Sequence, residues 1–126
     1  MTLSEVRHLL SCEVFSGEDF LDRSVEYGCA SDLMSDVLAF SRSGALLLTG
    51  LVNVQTVQTA FIAEITAVVL VRGKKPDEHV LRWAREKKIP LLGTPYSMYE
   101  ACGILYRSGM PSTMTCSPET ERQNSA

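Results

Sequence analysis

The sequence predicts an α/β fold: a mostly parallel sheet of about five strands, flanked by helices, in a single compact domain. Three observations carry the prediction. Short apolar runs alternate with amphipathic stretches, strand then helix, three times between Ala45 and Tyr106. The run from Thr66 to Val71 is apolar almost without a break, as in a strand covered on both faces, which is the situation inside a parallel sheet. The connections between the units are short, and such connections favour right-handed crossovers that return each strand to the same sheet.

The elements follow in order. Thr2 or Ser4 caps a first helix carrying Leu3, Val6, Leu9 and Leu10, and Cys12 to Phe15 forms a short strand before the turn at Ser16-Gly17. Residues from Asp19 to Arg23 make an irregular connection. Ser24 to Cys29 then alternates polar and apolar side chains through Val25, Tyr27 and Cys29, as a half-buried strand does. Ser31 caps the next helix, whose apolar stripe is Leu33, Met34, Val37, Leu38 and Phe40, and Ser43-Gly44 stops it.

Ala45 to Thr49 is an apolar strand, and Asn53 to Ile65 a helix burying Val54, Val57, Phe61 and Ile65. After the strand Thr66 to Val71, Pro76 and Asp77 open a helix with Val80, Leu81 and Ala84 inside and Trp83 at its edge. Ile89 to Leu92 is the last strand. The last helix carries Met98, Ala101, Cys102, Leu105 and Tyr106 on one side and closes at Gly109 and Pro111. The domain therefore spans residues 1–110, and 111–126 reads as a polar tail, rich in Ser, Thr, Glu and Gln, that stays disordered.

Composition narrows the function classes. The 126 residues suit one domain, and 45% hydrophobic with 21% charged residues suits a globular chain. A net charge of -3 supplies no overall positive field for a nucleic-acid backbone, so no nucleic-acid partner is expected. Seven of the twelve basic residues nevertheless cluster as Arg72, Lys74, Lys75, Arg82, Arg85, Lys87 and Lys88. That cluster reads as a solvated helix face, with an acidic partner or phosphorylated ligand as the other reading.

The four cysteines, Cys12, Cys29, Cys102 and Cys116, are far apart and lack histidines at ligand spacing, so no metal site is expected. Free thiols within apolar patterns fit a reducing cytoplasm. No leader pattern opens the chain and no apolar run reaches the length of a membrane span, so neither export nor a membrane is expected.

Candidate chemistry gathers at the carboxyl ends of the strands, where ligands bind in open parallel sheets. This rim comprises Ser31 and Asp32, then Thr49, Gly50 and Asn53, then Arg72, Gly73 and Lys74, then Gly93, Thr94 and Tyr96. Backbone N–H groups beside Gly73, with Lys74, suit an anion. Each feature also has a purely structural reading: Thr49-Gly50 as a strand end, Gly73 with Pro76 as a turn, Ser31 as a cap. Neither G-x-x-x-x-G-K-[ST] nor G-x-G-x-x-G occurs. Asp32 and Asp36 lie four apart, on one helical face, where the helix dipole alone favours acids, and His8 and His79 have no nucleophile signature beside them. No catalytic residue is assigned and no cofactor is expected.

These residues also resemble a known family. The run Asp32 to Ala39, the strand ending at Thr49, the run Ala67 to Glu78, and Ile89-Pro90-Leu91-Leu92 followed by Thr94 resemble, in order and spacing, the DRTGG domain, over about residues 3 to 110. The chain is most similar to small standalone members. The family also accompanies nucleotide-sensing CBS domains in pyrophosphatases, occurs in long phosphotransacetylases, and is similar to the N-terminal domain of HPr kinase.

The resemblance implies a parallel α/β architecture and a non-catalytic regulatory or assembly role as a homodimer, accessory to a redox or hydrogenase system through a protein partner. The alternative is a small-molecule sensor binding an adenine nucleotide or related phosphorylated metabolite at the rim, through Asp32, Thr49, Asn53, Gly73, Lys74, Thr94 and Tyr96. The chain departs from the family signature at two places. Leu51, Val52 and Asn53 stand where its Asp-Arg pair falls, and Val71, Arg72 and Gly73 replace its Thr-Gly-Gly.

Overall fold

A computed structural model describes residues 1–114 of the chain. The elements run α1 (Leu3–Leu9), β1 (Glu13–Ser16), a 3-10 turn (Glu18–Phe20), β2 (Tyr27–Ala30), α2 (Met34–Phe40), β3 (Ala45–Thr49), α3 (Val54–Ile62), β4 (Ala67–Leu70), α4 (Glu78–Glu86), β5 (Leu91–Gly93) and α5 (Met98–Arg107). They build one five-stranded sheet in the order β1-β5-β4-β3-β2. Strands β2 to β5 are parallel, and β1 joins β5 antiparallel. The mostly parallel sheet flanked by helices is thus the fold that the sequence predicts.

Side chains alternate between two cores because successive residues of a strand point to opposite faces. Leu46, Leu48, Val69 and Leu92 face α1 and α5, while Leu47, Val68, Leu70 and Leu91 face α2, α3 and α4. Consecutive crossovers from β2 to β5 therefore keep their three helices on one face. All positions of β3 and β4 are buried, which explains their unbroken apolar runs.

The outer strands differ from expectation. β1 is shifted by one residue, to Glu13–Ser16, and its register slips between Val14 and Ser16. The Phe15 ring at this bulge lies so close to Gly93 that a Cβ there would sit 2.5 Å from Phe15 Cε2, so only glycine fits. β2 is confined to Tyr27–Ala30 because Ser24 bridges Thr2 and Val25 N–H bonds the Met1 carbonyl at 2.8 Å. Ordered backbone also continues past residue 110: Gly28 donates to the Pro111 carbonyl at 2.8 Å and accepts from Thr113 N–H at 3.1 Å. The remainder of the predicted tail, 115–126, lies outside the described residues.

Helix ends repeat one device. After α1, α3, α4 and α5 a residue takes the left-handed conformation, namely Ser11, Glu64, Lys88 and Gly109. The residue following each donates back to a carbonyl five positions earlier, as in Ile65 N–H to Ala60 and Ile89 N–H to Ala84. Helix α3 consequently ends at Ile62 rather than reaching Ile65.

Several faces predicted as core point outward. On α2 only Met34 and Val37 are buried, with Leu33, Leu38 and Phe40 exposed, because the seven-residue helix covers the sheet with a single stripe. Phe61 is half exposed and holds Lys87 Nζ 4.6 Å from its ring centroid. Tyr106 is also exposed, while Ala101 and Leu105 carry the buried side of α5.

Candidate functional site

The polar residues after β3 are fastened to one another. Asp32 Oδ1 accepts from Thr49 Oγ1 at 3.0 Å and from Gly50 N–H at 2.7 Å. Thr49 Oγ1 in turn accepts from Leu51 N–H at 3.1 Å. Asn53 caps α3 by accepting from Thr56 N–H at 3.1 Å, and Thr56 Oγ1 donates to the Leu51 carbonyl at 2.6 Å. This set brings Asp32, Thr49 and Asn53 to one corner, where their polar atoms shape the loop between strand and helix.

Asp32 reaches that corner because it lies outside α2. Ser31 does not cap the helix: its Oγ accepts from Leu33 N–H at 3.0 Å, and Leu33 itself occupies the N-cap position without a side-chain bond. The turn so formed aims the Asp32 carboxylate across to β3. The face shared by Asp32 and Asp36 on a helix is therefore not formed.

A second corner joins the ends of β4 and β5. Arg72 N–H donates to the Tyr96 carbonyl at 2.8 Å, Gly73 N–H to the Thr94 carbonyl at 2.9 Å, and Lys74 N–H to the Val71 carbonyl at 3.3 Å. The N–H groups expected to cradle an anion are thus engaged within the chain. Thr94 is buried, and its hydroxyl donates to the Leu10 carbonyl at 2.6 Å while accepting from Tyr96 N–H at 3.3 Å. The Lys74 side chain is exposed and Tyr96 is half-buried against the α1/α5 core.

Strand order bears on what kind of cleft the two corners can form. In doubly wound sheets the ligand cleft lies where the strand order reverses and adjacent crossovers leave on opposite faces. Here β2, β3, β4 and β5 follow one another in sequence with their crossover helices on one face, so this parallel run contains no such switch point.

The signature departures acquire physical meaning at these corners. Leu51 and Val52, standing in place of the Asp-Arg pair, pack against the α2–α4 core. Arg72 adopts φ 61°, a conformation natural to the glycine it replaces. Its guanidinium comes to the open side of Gly50, where a Cβ would lie 3.1 Å from Nη2 and 3.5 Å from the Asp32 carboxylate oxygens.

Sequence patterning does not reveal a groove on the α1/α5 face of the sheet, which reaches the rim residue Tyr96. A cavity of about 800 Å³ lies between α5 and β2, lined among others by Gly28, Leu48, Tyr96, Cys102 and Met110. Its signal in the sequence is the run of small residues Gly28, Cys29 and Ala30 on β2, together with Gly103 on α5. Burial raises the thiol pKa of both Cys29 and Cys102, with the nearby Cys102 adding to the effect on Cys29. The two pack with opposite cores, Cys29 with that of α2–α4 and Cys102 with that of α1/α5. Cys12 lies deeper, and desolvation outweighs the opposing Arg7 charge to push its thiol up to about 12. Among the described residues, no cluster of His, Cys, Asp and Glu is able to hold a metal ion, and no helix is long and apolar enough to cross a membrane.

Helices layered on both faces and a parallel run with a tied rim define a small three-layer α/β domain. A family model, the DRTGG domain, matches residues 5–108. The chain belongs to the DRTGG domain family. No curated protein matches it.

Among solved structures it is similar to the regulatory region of a Clostridium perfringens pyrophosphatase, comprising CBS and DRTGG domains, complexed with its activator diadenosine tetraphosphate. The TM-score is 0.71 at 16% identity, over 93% of this chain and 51% of that one, and the likeness is one of fold. This chain thus spans about half the length of that region.

Proposed function

We propose that the chain is a non-catalytic regulatory or assembly domain that works as a homodimer. The observation that carries this reading is the closure of the strand rim: Asp32, Thr49, Asn53, Gly73 and Thr94 all spend hydrogen-bonding groups inside the chain. A carboxylate already accepting from a hydroxyl and an amide is poorly placed to serve as a base. Exposed apolar side chains on α5, by contrast, are left to be covered. Light scattering of the purified chain at roughly tens of micromolar tests the reading. The expected mass is twice 13.9 kDa, and monomer alone overturns it.

The setting implied by the family resemblance, a redox or hydrogenase system, is where we look for a protein partner. The unpaired thiols of Cys12, Cys29 and Cys102 suit a reducing cytoplasm.

A second reading, a sensor of an adenine nucleotide or related phosphorylated metabolite, is favoured by the exposed Arg72 and Lys74 side chains beside Tyr96. The complex of the similar pyrophosphatase region with diadenosine tetraphosphate makes nucleotides the first ligands to try. A ligand at a hundredfold its Kd stabilises by about 2.7 kcal/mol, on the order of 10 °C for a domain of this size. Mononucleotides, dinucleotides and acyl phosphates that leave the melting temperature unmoved overturn the sensor.

A further inference from the structure

We infer that α5 is the surface through which two copies associate, crossing antiparallel and backbone to backbone at Gly103. Tyr106 of each copy then enters the groove between α5 and β2 of the other. The inference rests on the homodimer reading above and names the interface it requires.

Gly103 is the first observation. It sits inside α5 with an ordinary helical backbone, and among the described residues nothing lies within 4 Å of the position a Cβ would take. Neither a turn nor internal crowding asks for glycine there, and glycine is the poorest helix former after proline. A second helix does ask for it. A residue without a side chain lets two axes approach more closely than the usual 8–10 Å, at roughly that one point.

The flanking residues make the stripe self-complementary. Tyr99 is 90% exposed one turn before Gly103 and Tyr106 is 74% exposed one turn after it, so an antiparallel crossing sets each Tyr99 near the opposing Tyr106. Charge selects that direction. Glu100 lies in the first turn of α5 and Arg107 in the last. Antiparallel copies bring Glu100 of one toward Arg107 of the other, whereas parallel copies set like charges together.

The groove supplies the remaining complementarity. Its volume of about 800 Å³ and its lining of Leu48, Cys102 and Met110 suit an aromatic side chain. Four tyrosines at about 150–250 Å² each, with Tyr99 90% and Tyr106 74% exposed before association, cover roughly 500–800 Å², below the about 1,000 Å² that a specific interface clears. The dimer is accordingly a weak one, formed at micromolar concentration.

The test is sedimentation velocity on the full chain across a concentration series, with circular dichroism to verify folding of each variant. Gly103→Leu and Tyr106→Ser each weaken association by about tenfold or more, while Leu38→Ser on α2 leaves it unchanged. Glu100→Arg and Arg107→Glu each weaken it, and the double reversal restores it, because the opposing charges are exchanged rather than lost. Folded Gly103→Leu and single-reversal variants that dimerise like the parent overturn this interface while the homodimer reading stands. A parent chain that remains monomeric throughout overturns both.

Discussion

The carboxyl end of the sheet and the outer face of α5 treat their side chains in opposite ways. At the strand ends polar groups are abundant and several are tied within the chain: Asp32 holds Gly50, Gly73 holds Thr94, and Thr94 holds Leu10. Along α5 the exposed stripe of Tyr99, Gly103 and Tyr106 contributes little to its own chain. Polar residues at the place where α/β proteins keep their ligands are therefore weak evidence of binding when the strand order does not reverse. Apolar residues with nothing to cover are the more telling feature.

Breaking the rim tests the first half of that contrast and has the largest expected effect. Thr94→Val leaves the buried Leu10 carbonyl without its 2.6 Å donor and costs about 2–3 kcal/mol, measured by urea denaturation. Asp32→Ala frees Gly50 N–H and the Thr49 hydroxyl and costs about 1–2 kcal/mol. A ligand-binding carboxylate, rather than a structural one, is indicated if Asp32→Ala leaves stability unchanged.

Alkaline pH probes the interior beneath both regions. Cys12 ionises near 9.0 when exposed and at about 12 in the fold, so the unfolded chain loses its proton first. Stability is full below that lower value and falls as pH rises through the interval, by about 1.4 kcal/mol per pH unit at most. Thermal melts between pH 8 and about 10 show this as a steeper loss in the parent than in Cys12→Ala.

The stripe on α5 responds with the opposite sign. Gly103→Ala stabilises the monomer by up to about 1 kcal/mol in dilute solution, since nothing in the chain is displaced by the methyl group. A loss of stability in the monomer would show an internal role for the glycine. The smallest effect belongs to the Lys75–Glu13 ion pair, 3.9 Å long with both side chains mostly exposed. Lys75→Ala changes the urea midpoint by the equivalent of less than about 0.5 kcal/mol.

How much of this was legible depended on whether the cause was local. β3 and β4 announced themselves because burial on both faces writes itself as an unbroken apolar run. β1 and β2 were blurred, since a bulge at one and a bridge from Ser24 to Thr2 at the other depend on distant partners. The end of α5 was marked by Gly109, yet Ser11, Glu64 and Lys88 take the same left-handed turn without the residue that signals it. Asp32 was the hardest to read. An acid near a helix start has a sufficient local explanation, and nothing local reveals that its carboxylate reaches Gly50.

The antiparallel pairing of β1 with β5 carries a consequence for the order in which the domain is made. Ser16 bonds the Ile89 carbonyl across 73 residues, and Thr94 bonds Leu10 across 84. The first strand to leave the ribosome has to wait for the last, its one neighbour in the sheet. Contacts so far apart in the chain slow folding. The nascent N-terminal segment, with Leu3, Val6 and Leu10 uncovered, is thus the stretch most open to chaperones while synthesis proceeds.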